Sequence, residues 1–504
     1  MFALVRHRAV ARCLLLAITL LAGCTTNHNT AGPTSPAPVS QASPNGRPNI
    51  VYVLTDDLSD NLVQYMPHVQ QLQKDGLSFP NFFVTDSLCC PSRSSIFTGE
   101  YPHDTGVFTN NGDDGGFAAF QKNNDEQHSF GLALQAAGYR TGFMGKYLNG
   151  YEPTDPLGTG KPYVPPGWNE WDVAGSAYSE FNYDLNQNGT VQHYGKDPQD
   201  YLTDVLSAKG TAFVDSSAAA HAPFLLEVAT FAPHKPSTPA PRDANAFADL
   251  TAPRTPAYGT APKAAPPWLA QIPPLGGKAD KEINAEFVKR VQSVQAVDAM
   301  IGNLEQELQR TGQVKNTYVV FGSDNGYHMG EHNLLPGKQT AFDTDINVPL
   351  IVTGPGVPAA RQATQLAENI DMNPTFIELA GGKPAASTDG RSLEPLLHDQ
   401  PVSGWRQAVL IEHHHPGSAK NDPDAAGGRS GNPPSYEAIR TADTTYVEYA
   451  DGEREYYDLK SDPDELNNLA ATPPPQLTSV RATLAALSNC HGADSCWASA
   501  QLKR

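Results

Sequence analysis

The hydrophobic positions of this chain fall into short, continuous apolar runs that alternate with helix-like segments. Residues 49–54 and 317–321 are almost entirely apolar, which is typical of strands that are covered on both faces of a parallel sheet. A helix is predicted over 129–137, followed by a short strand at 141–144 and another strand at 224–228. Strands that alternate with helices in this way predict a doubly wound α/β sheet.

Other segments between these strands have patterns of their own. Residues 186–189 separate two alternating runs and predict a β-hairpin, although Asn188, Gly189 and Thr190 also fit a glycosylation sequon. Residues 232–276 are rich in proline, so we expect an irregular excursion over the surface. The amphipathic stretch 285–309 is the longest predicted helix, and it leads into the strand at 317–321.

The pattern becomes looser from residue 381 onward. Strands are predicted at 408–412 and 445–449, and a terminal helix at 475–487. A chain of 504 residues is long enough for more than one core, since single cores rarely grow beyond about 250–300 residues. We therefore predict a larger α/β domain over 47–380 and a smaller α+β domain over 381–504.

The first residues have the order of charges and apolar positions expected of an export signal. Arginines at positions 6, 8 and 12 precede an apolar run at 13–21. This run is too short to span a membrane as a helix. The run ends in Leu-Ala-Gly-Cys24, which resembles a bacterial lipobox; an ordinary signal with an incidental cysteine is the alternative. This predicts a signal peptide at 1–23 and a disordered tether at 24–46.

The expected product is an exported bacterial lipoprotein, at the cell surface or in the periplasm, whose membrane contact is a lipid on Cys24. Hydrophobic residues make up 39% of the chain and charged residues 18%, which is typical of a globular protein. The net charge of −19 argues against nucleic-acid binding. An anionic substrate would need a locally positive pocket.

The cysteines outside the signal fall into two pairs. Cys490 and Cys496 lie close together near the C-terminus, and outside the cytosol we expect them to form a disulfide. Cys89 and Cys90 are adjacent and are poor partners for each other. At least one of these two therefore requires another explanation.

Acidic residues follow two of the predicted buried strands. Asp56 and Asp57 come after the first strand, and Asp324 and Asn325 come after the strand at 317–321. Sites in open α/β sheets gather beyond the carboxyl ends of strands, and oxygen ligands of this kind suit Ca²⁺ or Mg²⁺. Asp and Asn are also common in turns for local reasons, so either pair alone does not decide between the two interpretations.

A third element surrounds the cysteine pair. Residues 88–99 read Leu-Cys-Cys-Pro-Ser-Arg-Ser-Ser-Ile-Phe-Thr-Gly, in which Pro91 can open a short helix whose N-terminus favours an anion. The run Cys-x-Pro-Ser-Arg, followed by four residues and Thr-Gly, resembles the signature of type I sulfatases, in which the leading cysteine is oxidised to formylglycine. The alternative is a buried free thiol beside a tight turn. Because Cys90 occupies the variable position, the resemblance nominates Cys89 alone.

The resemblance extends over nearly the whole mature chain, and within the family it is closest to N-acetylglucosamine-6-sulfatases. It is carried by Gly145-Lys146-Tyr147-Leu148-Asn149, Tyr201-Leu202-Thr203-Asp204, Ala232-Pro233-His234, the run from Ser323 to His328, Tyr457-Asp458-Leu459 with Asp462-Pro463, and the terminal cysteine pair. It implies an alkaline-phosphatase-like fold, a doubly wound mixed sheet with helices on both faces. It also implies a sulfatase catalytic domain at 47–380 with a C-terminal subdomain at 381–504.

The resemblance also implies a set of site residues. One Ca²⁺ per chain would be bound by Asp56, Asp57, Asp324 and Asn325. Arg93 would lie beside the formylglycine, and Lys146, His234 and Lys338 would contact the sulfate. Each of the last three has an alternative, because lone lysines usually lie on solvated faces and lone histidines are often structural.

The implied mechanism begins with a hydrated aldehyde at residue 89, whose hydroxyl attacks sulfur with the cation and Asp324 as activators. Arg93, Lys146 and Lys338 would neutralise the sulfuryl oxygens, and His234, with Lys338, would protonate the leaving alcohol. Many sulfatases carry histidine two residues after the lysine of Gly-Lys, whereas this chain has Leu148. The implied last step, in which the sulfated diol expels sulfate and regenerates the aldehyde, needs a base, and that base is therefore unassigned. His328 is a candidate for it, and a packing role for His328 is an equal alternative.

The predicted function is therefore hydrolysis of a sulfate ester, on a sulfated carbohydrate or aryl sulfate, after maturation by a formylglycine-generating enzyme. A phosphoester or phosphodiester hydrolase of the same superfamily is one alternative, because sulfate and phosphate are similar tetrahedral oxyanions. A non-catalytic lipoprotein that binds sulfated glycans is another. His413, His414 and His415 are left out of the predicted site, because a histidine run at a loop edge is more often exposed to solvent.

Overall fold

A ten-stranded mixed sheet forms the centre of the structure. The computed structural model describes residues 46–415, 422, 424–425 and 427–503, so the predicted signal peptide and nearly all of the predicted tether lie outside the described residues. The strand order is β11-β2-β10-β9-β1-β8-β4-β5-β6-β7. Strands β9, β1, β8, β4 and β5 run parallel, and antiparallel strands extend the sheet on both sides.

The described part of the chain contains the following regular elements. The strands are β1 Asn49–Thr55, β2 Leu77–Ser78, β3 Phe82–Phe83, β4 Arg140–Lys146, β5 Glu170–Ala174, β6 Tyr183–Gln187, β7 Thr190–Tyr194, β8 Phe224–Ala229, β9 Thr317–Ser323, β10 Leu350–Thr353, β11 Arg361–Gln362, β12 Ala367–Glu368, β13 Ala408–His413, β14 Tyr436–Thr441, β15 Thr444–Tyr449 and β16 Arg454–Asp458. The α-helices are α1 Pro67–Asp75, α2 Cys89–Thr98, α3 Pro102–Thr105, α4 Gly116–Lys122, α5 Phe130–Ala136, α6 Leu202–Ala219, α7 Pro267–Ala270, α8 Gly277–Arg310, α9 Asp343–Ile346, α10 Met372–Leu379, α11 Glu394–Leu397, α12 Leu477–Leu487 and α13 Ala493–Ser499. Short 3₁₀ helices lie at Asp60–Tyr65, Asp125–His128, Pro198–Asp200, Val314–Asn316 and Asn369–Asp371.

Both faces of the sheet are covered, which explains why its central strands are apolar throughout. Strand β1 is buried along its whole length. Ile50 and Tyr52 point into one core, which includes side chains of α2, α5 and α10. Val51 and Val53 point into the opposite core, which includes side chains of α1, α6 and α8. The predicted doubly wound sheet is therefore confirmed.

The predicted elements of the larger domain are present, with two differences at helix starts. Helix α8 begins at Gly277 rather than at 285, because Ala279 and Ile283 already lie one turn apart on its buried face although their neighbours are polar. Helix α2 begins at Cys89, so Pro91 is its third residue rather than its first. Proline is tolerated there because the first amides of a helix have no intrahelical partner. The proline-rich stretch is irregular apart from α7, as predicted.

The C-terminal part contains a four-stranded antiparallel sheet in the order β13-β14-β15-β16. Strands β13 and β15 and helix α12 were predicted, whereas β14, β16 and α13 were not. Cys490 and Cys496 form the predicted disulfide. The domain boundary at 380/381 stays a prediction. Within the described residues, no helix has the length and hydropathy needed to cross a membrane.

One expectation about this part was wrong. His413 is fully buried rather than exposed, because it is the last residue of β13 and its ring packs beside Tyr436. Its Nδ1 lies 3.3 Å from a carboxylate oxygen of the buried Asp86. His414 is partly exposed and stacks on Phe108.

Candidate active site

Four adjacent parallel strands deliver the candidate residues to one edge of the sheet. Strands β1 and β9 are neighbours, so the two predicted acidic pairs that follow them meet. The amide of Asp57 donates to Asp324 Oδ1 at 3.2 Å, and Asn325 Nδ2 donates to Asp57 Oδ1 at 2.7 Å. All four residues, including Asp56, are essentially fully buried. Strand β8 lies next to β1, and β4 lies next to β8; the segment after β8 carries His234, and Lys146 is the last residue of β4.

Cys89 lies at the start of α2 and faces this acidic cluster. Its sulfur is 3.4 Å from Asp56 Oδ1 and accepts a hydrogen bond from Lys338 Nζ at 2.7 Å. Burial raises the pKa of the Cys89 thiol well above its usual range, and nearby carboxylates raise it further. The unmodified residue is therefore a neutral thiol, which is a poor nucleophile. Cys90 instead packs in the hydrophobic core.

Arg93 and Lys146 bind the carboxylates from the side of α2 and β4. Arg93 Nε donates to Asp324 Oδ2 at 2.8 Å, and its Nη1 donates to the Lys146 carbonyl at 2.9 Å. Lys146 Nζ donates to Asp56 Oδ2. Burial alone would lower the pKa of Lys146, but the Asp56 carboxylate holds it well above its usual value, so the amine is charged.

His234 and Lys338 reach the site from the opposite side. Lys338 Nζ donates to Asp57 Oδ1 at 2.6 Å, and His234 Nε2 lies 3.6 Å from Asp57 Oδ2. His234 Nδ1 lies 2.7 Å from the Lys235 carbonyl oxygen, which orients the ring. Burial lowers the pKa of His234, but Asp57 and Asp424 reverse this and raise it above the usual value. The structure thus brings together all the predicted site residues: Asp56, Asp57, Cys89, Arg93, Lys146, His234, Asp324, Asn325 and Lys338.

Asp424 also lies in the site, and the sequence analysis missed it. Its Oδ1 lies 2.6 Å from His234 Nε2 and 2.9 Å from Lys338 Nζ, and its Oδ2 lies 3.4 Å from the Cys89 sulfur. Asn110 Nδ2 donates to the same carboxylate at 2.8 Å. The only sequence signal was an acidic residue within a glycine-rich loop, which is a weak one.

Arg290 was also missed, because it lies in the middle of the long helix α8. Its Nη2 donates to the Asp57 carbonyl at 2.5 Å, and its Nη1 donates to the Pro233 carbonyl at 3.4 Å. The guanidinium lies 4.2 Å from the centre of the Tyr327 ring. Arg290 therefore connects the turn after β1, where Asp57 has a left-handed φ of 64°, to the segment that carries His234.

The acidic cluster is suited to a divalent cation. Asn325 Oδ1 is buried and has no hydrogen-bond partner within the described part of the chain, although buried amide oxygens normally have one. Asp56, Asp57, Cys89 and His234 each offer an atom within 4.8 Å of the others. Carboxylate and amide oxygens are the ligands preferred by Ca²⁺ and Mg²⁺, so the residues present fit such an ion.

Two cavities adjoin the cluster. One of 270 Å³ is lined by Lys146, Leu148, Asn149 and Tyr178 among others, and a second of 140 Å³ is lined by Asp57, His234 and Lys338 among others. Leu148 therefore borders the site but offers no titratable group. His328 Nδ1 instead lies 2.9 Å from a carboxylate oxygen of the buried Asp345. Its described contacts favour a packing role over contact with residue 89.

Comparison with known proteins agrees with this geometry. The sequence profile of the sulfatase family matches residues 48–382, and that of the C-terminal region of N-sulphoglucosamine sulphohydrolase matches residues 330–489. Human N-acetylglucosamine-6-sulfatase is 34% identical over 477 residues, covering 88% of this chain and 85% of the human protein. The predicted subgroup resemblance is thus confirmed.

Two other proteins extend the comparison. The extracellular sulfatase SULF-1 homolog of Drosophila melanogaster is 36% identical over 378 residues, which is 73% of this chain. This chain spans only 33% of the length of that fly protein. The structure of BT4656, solved with its substrate D-glucosamine-2-N,6-O-disulfate, superposes with a TM-score of 0.72 at 21% identity, covering 87% of this chain and 97% of that one. At that identity the likeness establishes the fold.

Proposed function

The chain belongs to the sulfatase family, and from this premise we propose that it hydrolyses sulfate esters at the cluster around residue 89. The reaction requires a site that accepts a tetrahedral oxyanion next to a nucleophile. It also requires a proton donor for the departing alcohol. Each requirement can be matched to described residues.

The observation that carries the proposal is the position of the Asp424 carboxylate. This anion lies against His234 and Lys338 and is 3.4 Å from the Cys89 sulfur. We take it as a stand-in for the sulfuryl oxygens of a substrate, since both are oxyanions that need cationic donors. In a chain with a net charge of −19, Lys338 and His234 supply the cationic donors at this position.

The roles of the cationic residues follow from their positions. Lys338 and His234 bind the oxyanion on one side of residue 89. Lys146 binds Asp56 on the other side and lines the larger cavity. His234 Nδ1 donates to a main-chain carbonyl, and the raised pKa of His234 favours the imidazolium, whose second proton on Nε2 is directed at the oxyanion and is available for the leaving alcohol. Arg93 positions Asp324 through its Nε.

Two groups complete the proposed site. Asp56, Asp57, Asp324 and Asn325 would hold Ca²⁺, which supplies charge stabilisation for the sulfuryl group, and a formylglycine made from Cys89 supplies the attacking hydroxyl when hydrated. The raised pKa of the Cys89 thiol supports the need for this conversion, because a neutral thiol would not attack. A formylglycine-generating enzyme is therefore the maturation partner in this proposal.

The proposed substrate is a sulfated sugar, in keeping with the names of the similar proteins. The experiment is coexpression with a formylglycine-generating enzyme, followed by assays with a fluorogenic aryl sulfate, the matching aryl phosphate and N-acetylglucosamine-6-sulfate. We expect the sulfates to be hydrolysed in proportion to the converted fraction, and the phosphate much more slowly. Faster turnover of the phosphate would favour a phosphohydrolase. Binding without turnover by converted protein would favour a glycan-binding protein.

We also propose that the protein is exported and anchored through a lipid on Cys24. The support is the Leu-Ala-Gly-Cys24 run after a basic, apolar leader. In a bacterium that processes lipoproteins, the wild-type protein should fractionate with membranes and begin at a modified Cys24. Cys24→Ala should release it. Wild-type protein that is soluble and begins at another residue would contradict the anchor.

A further inference from the structure

A second group of metal-binding side chains lies outside the active site, where the C-terminal disulfide loop meets α3. His103 and Asp104 belong to α3, and His491 lies between the two half-cystines Cys490 and Cys496. The three side chains each offer one ligand atom, and these atoms all lie within 4.8 Å of one another. His491 Nδ1 is hydrogen-bonded to Asp104 Oδ1. Asp104 Oδ2 lies 4.0 Å from His103 Nε2.

The ring of His103 is held by a carboxylate on the side away from the cluster. Its Nδ1 lies 2.8 Å from Glu412 Oε2, and its Nε2 faces Asp104 and donates to the Cys490 carbonyl oxygen at 2.8 Å, a bond that gives way when Nε2 loses its proton to bind a metal. Metal-binding histidines almost always have their other ring nitrogen bound to a carboxylate or carbonyl in this way, because it fixes the ring and raises its basicity.

The electrostatics also favour a cation. Asp104 and Glu412 lie within hydrogen-bonding reach of the two rings. The hydrogen bonds and ion pairs described for His103, Asp104 and His491 involve no lysine or arginine. The cluster is also accessible, because the His491 side chain is 70% exposed. An ion can therefore enter without unfolding any element.

From these observations we propose that His103, Asp104 and His491 bind one transition-metal ion of the zinc class, with the Cys490 carbonyl as a further oxygen nearby. Two imidazoles and a carboxylate are typical ligands of Zn²⁺, whereas Ca²⁺ prefers oxygen alone. Ligand atoms of one tetrahedral Zn²⁺ lie about 3.4 Å apart, so atoms separated by as much as 4.8 Å must close by up to about 1.4 Å. The exposed His491 side chain permits this movement. The ion would tie the C-terminal loop to α3.

The test measures Zn²⁺ binding to the full-length, formylglycine-converted protein in saturating Ca²⁺, by equilibrium dialysis and elemental analysis. His491→Ala removes one ligand from an exposed position, so it should not disturb folding. His193→Ala is the matched control, because His193 is an exposed histidine paired with one carboxylate, Asp184, and among the described residues it belongs to no such three-ligand cluster. Aryl-sulfate turnover is followed in parallel and should be the same in all three proteins.

We expect wild type and His193→Ala to bind one more equivalent of Zn²⁺ than His491→Ala. Zn²⁺ should raise the Tm of the first two proteins and not that of His491→Ala. Co²⁺ should give a visible absorption band that is lost with the same variant. Binding should strengthen from pH 7 to pH 8.5, because the imidazoles must lose protons. Equal Zn²⁺ stoichiometry in wild type and His491→Ala, or no bound Zn²⁺ in wild type, would overturn the proposal.

Discussion

This protein has two buried clusters of charged residues that differ in how the residues are paired and in whether they line a cavity. At the carboxyl edge of the large sheet, carboxylates and cations share partners around Cys89, and two cavities open beside them. Near the C-terminal sheet, Arg406 bonds Glu368 at 3.1 Å and Asp371 at 2.5 Å, with all three side chains buried. None of these three residues lines the two cavities. The burial of charged side chains alone therefore does not identify an active site.

The second cluster has one arginine and two carboxylates, and burial neutralises the extra carboxylate. Burial raises the pKa of Glu368 to about 8, against the opposing effect of Arg406, so Glu368 is protonated at neutral pH. One arginine and one carboxylate then remain. In the candidate site, by contrast, the Cys89 sulfur accepts a hydrogen bond from Lys338 and faces the carboxylates of Asp56 and Asp424. Charged groups that surround a candidate nucleophile and line a cavity distinguish a reactive cluster from a structural one.

The largest expected effect is at residue 89. Cys89→Ala should reduce aryl-sulfate turnover to background, because the proposed nucleophile is lost, whereas Cys90→Ala should keep turnover. Cys90 packs in the hydrophobic core, so its replacement should cost roughly 1 kcal/mol of unfolding free energy. The measurements are steady-state kinetics, urea unfolding and mass spectrometry of the peptide spanning residue 89. Conversion should appear as loss of H₂S and gain of one oxygen. Full turnover by Cys89→Ala would refute the proposed mechanism.

The next prediction distinguishes the two clusters by their effects on Ca²⁺ binding and on the free energy of unfolding. Asp324→Ala should lose bound Ca²⁺ and turnover, and chelation of wild type should abolish activity that Ca²⁺ restores. Arg406→Met should instead cost about 3–5 kcal/mol of unfolding free energy, because it leaves a buried carboxylate without its cation. Per folded molecule, its Ca²⁺ content and turnover should stay at wild-type values. The comparison fails if Arg406→Met loses metal while Asp324→Ala retains it.

A smaller effect is expected at Arg290, which acts through its neighbours. Arg290→Met removes the hydrogen bonds to the carbonyls of Asp57 and Pro233, so Ca²⁺ affinity should fall about 10–100-fold, as for other residues that orient metal ligands. Calorimetric titration with Ca²⁺ measures this independently of activity. Arg290→Lys should recover part of the affinity, because its amine can donate to one carbonyl. Unchanged Ca²⁺ affinity in Arg290→Met would show that the residue only packs.

The smallest effect is a pH dependence of stability at the edge of the C-terminal region. Burial lowers the pKa of His103, but Glu412, the Cys490 carbonyl and Asp104 reverse this and raise it to about 9. The unfolded value is about 6.5, so this contribution is fully present below pH 6.5 and is lost as pH rises through 9. Urea unfolding without transition metals should show wild type losing stability relative to His103→Gln across that interval. Parallel curves for the two proteins would contradict the assignment.

The local features of this protein follow from the sequence alone. The central strands were predictable because both faces of the sheet are covered, which makes them continuously apolar. The motif at residues 88–99 identified Cys89 and Arg93, because its chemistry is compact along the chain. The start of α8 and the strands β14 and β16 were missed, since their buried residues are interspersed with polar ones.

Only the tertiary structure decided which distant residues complete the site. Strand order places β8 beside β1 and β4 beside β8, which brings His234 to Asp57 and Lys146 to Asp56. Asp424 and Arg290 have no local signature, because an acidic residue in a loop and an arginine in a helix are normally solvated. Their burial depends on packing between segments more than a hundred residues apart in the chain. Patterns along the sequence report local geometry and burial, whereas contacts between such segments are set by how the whole sheet is assembled.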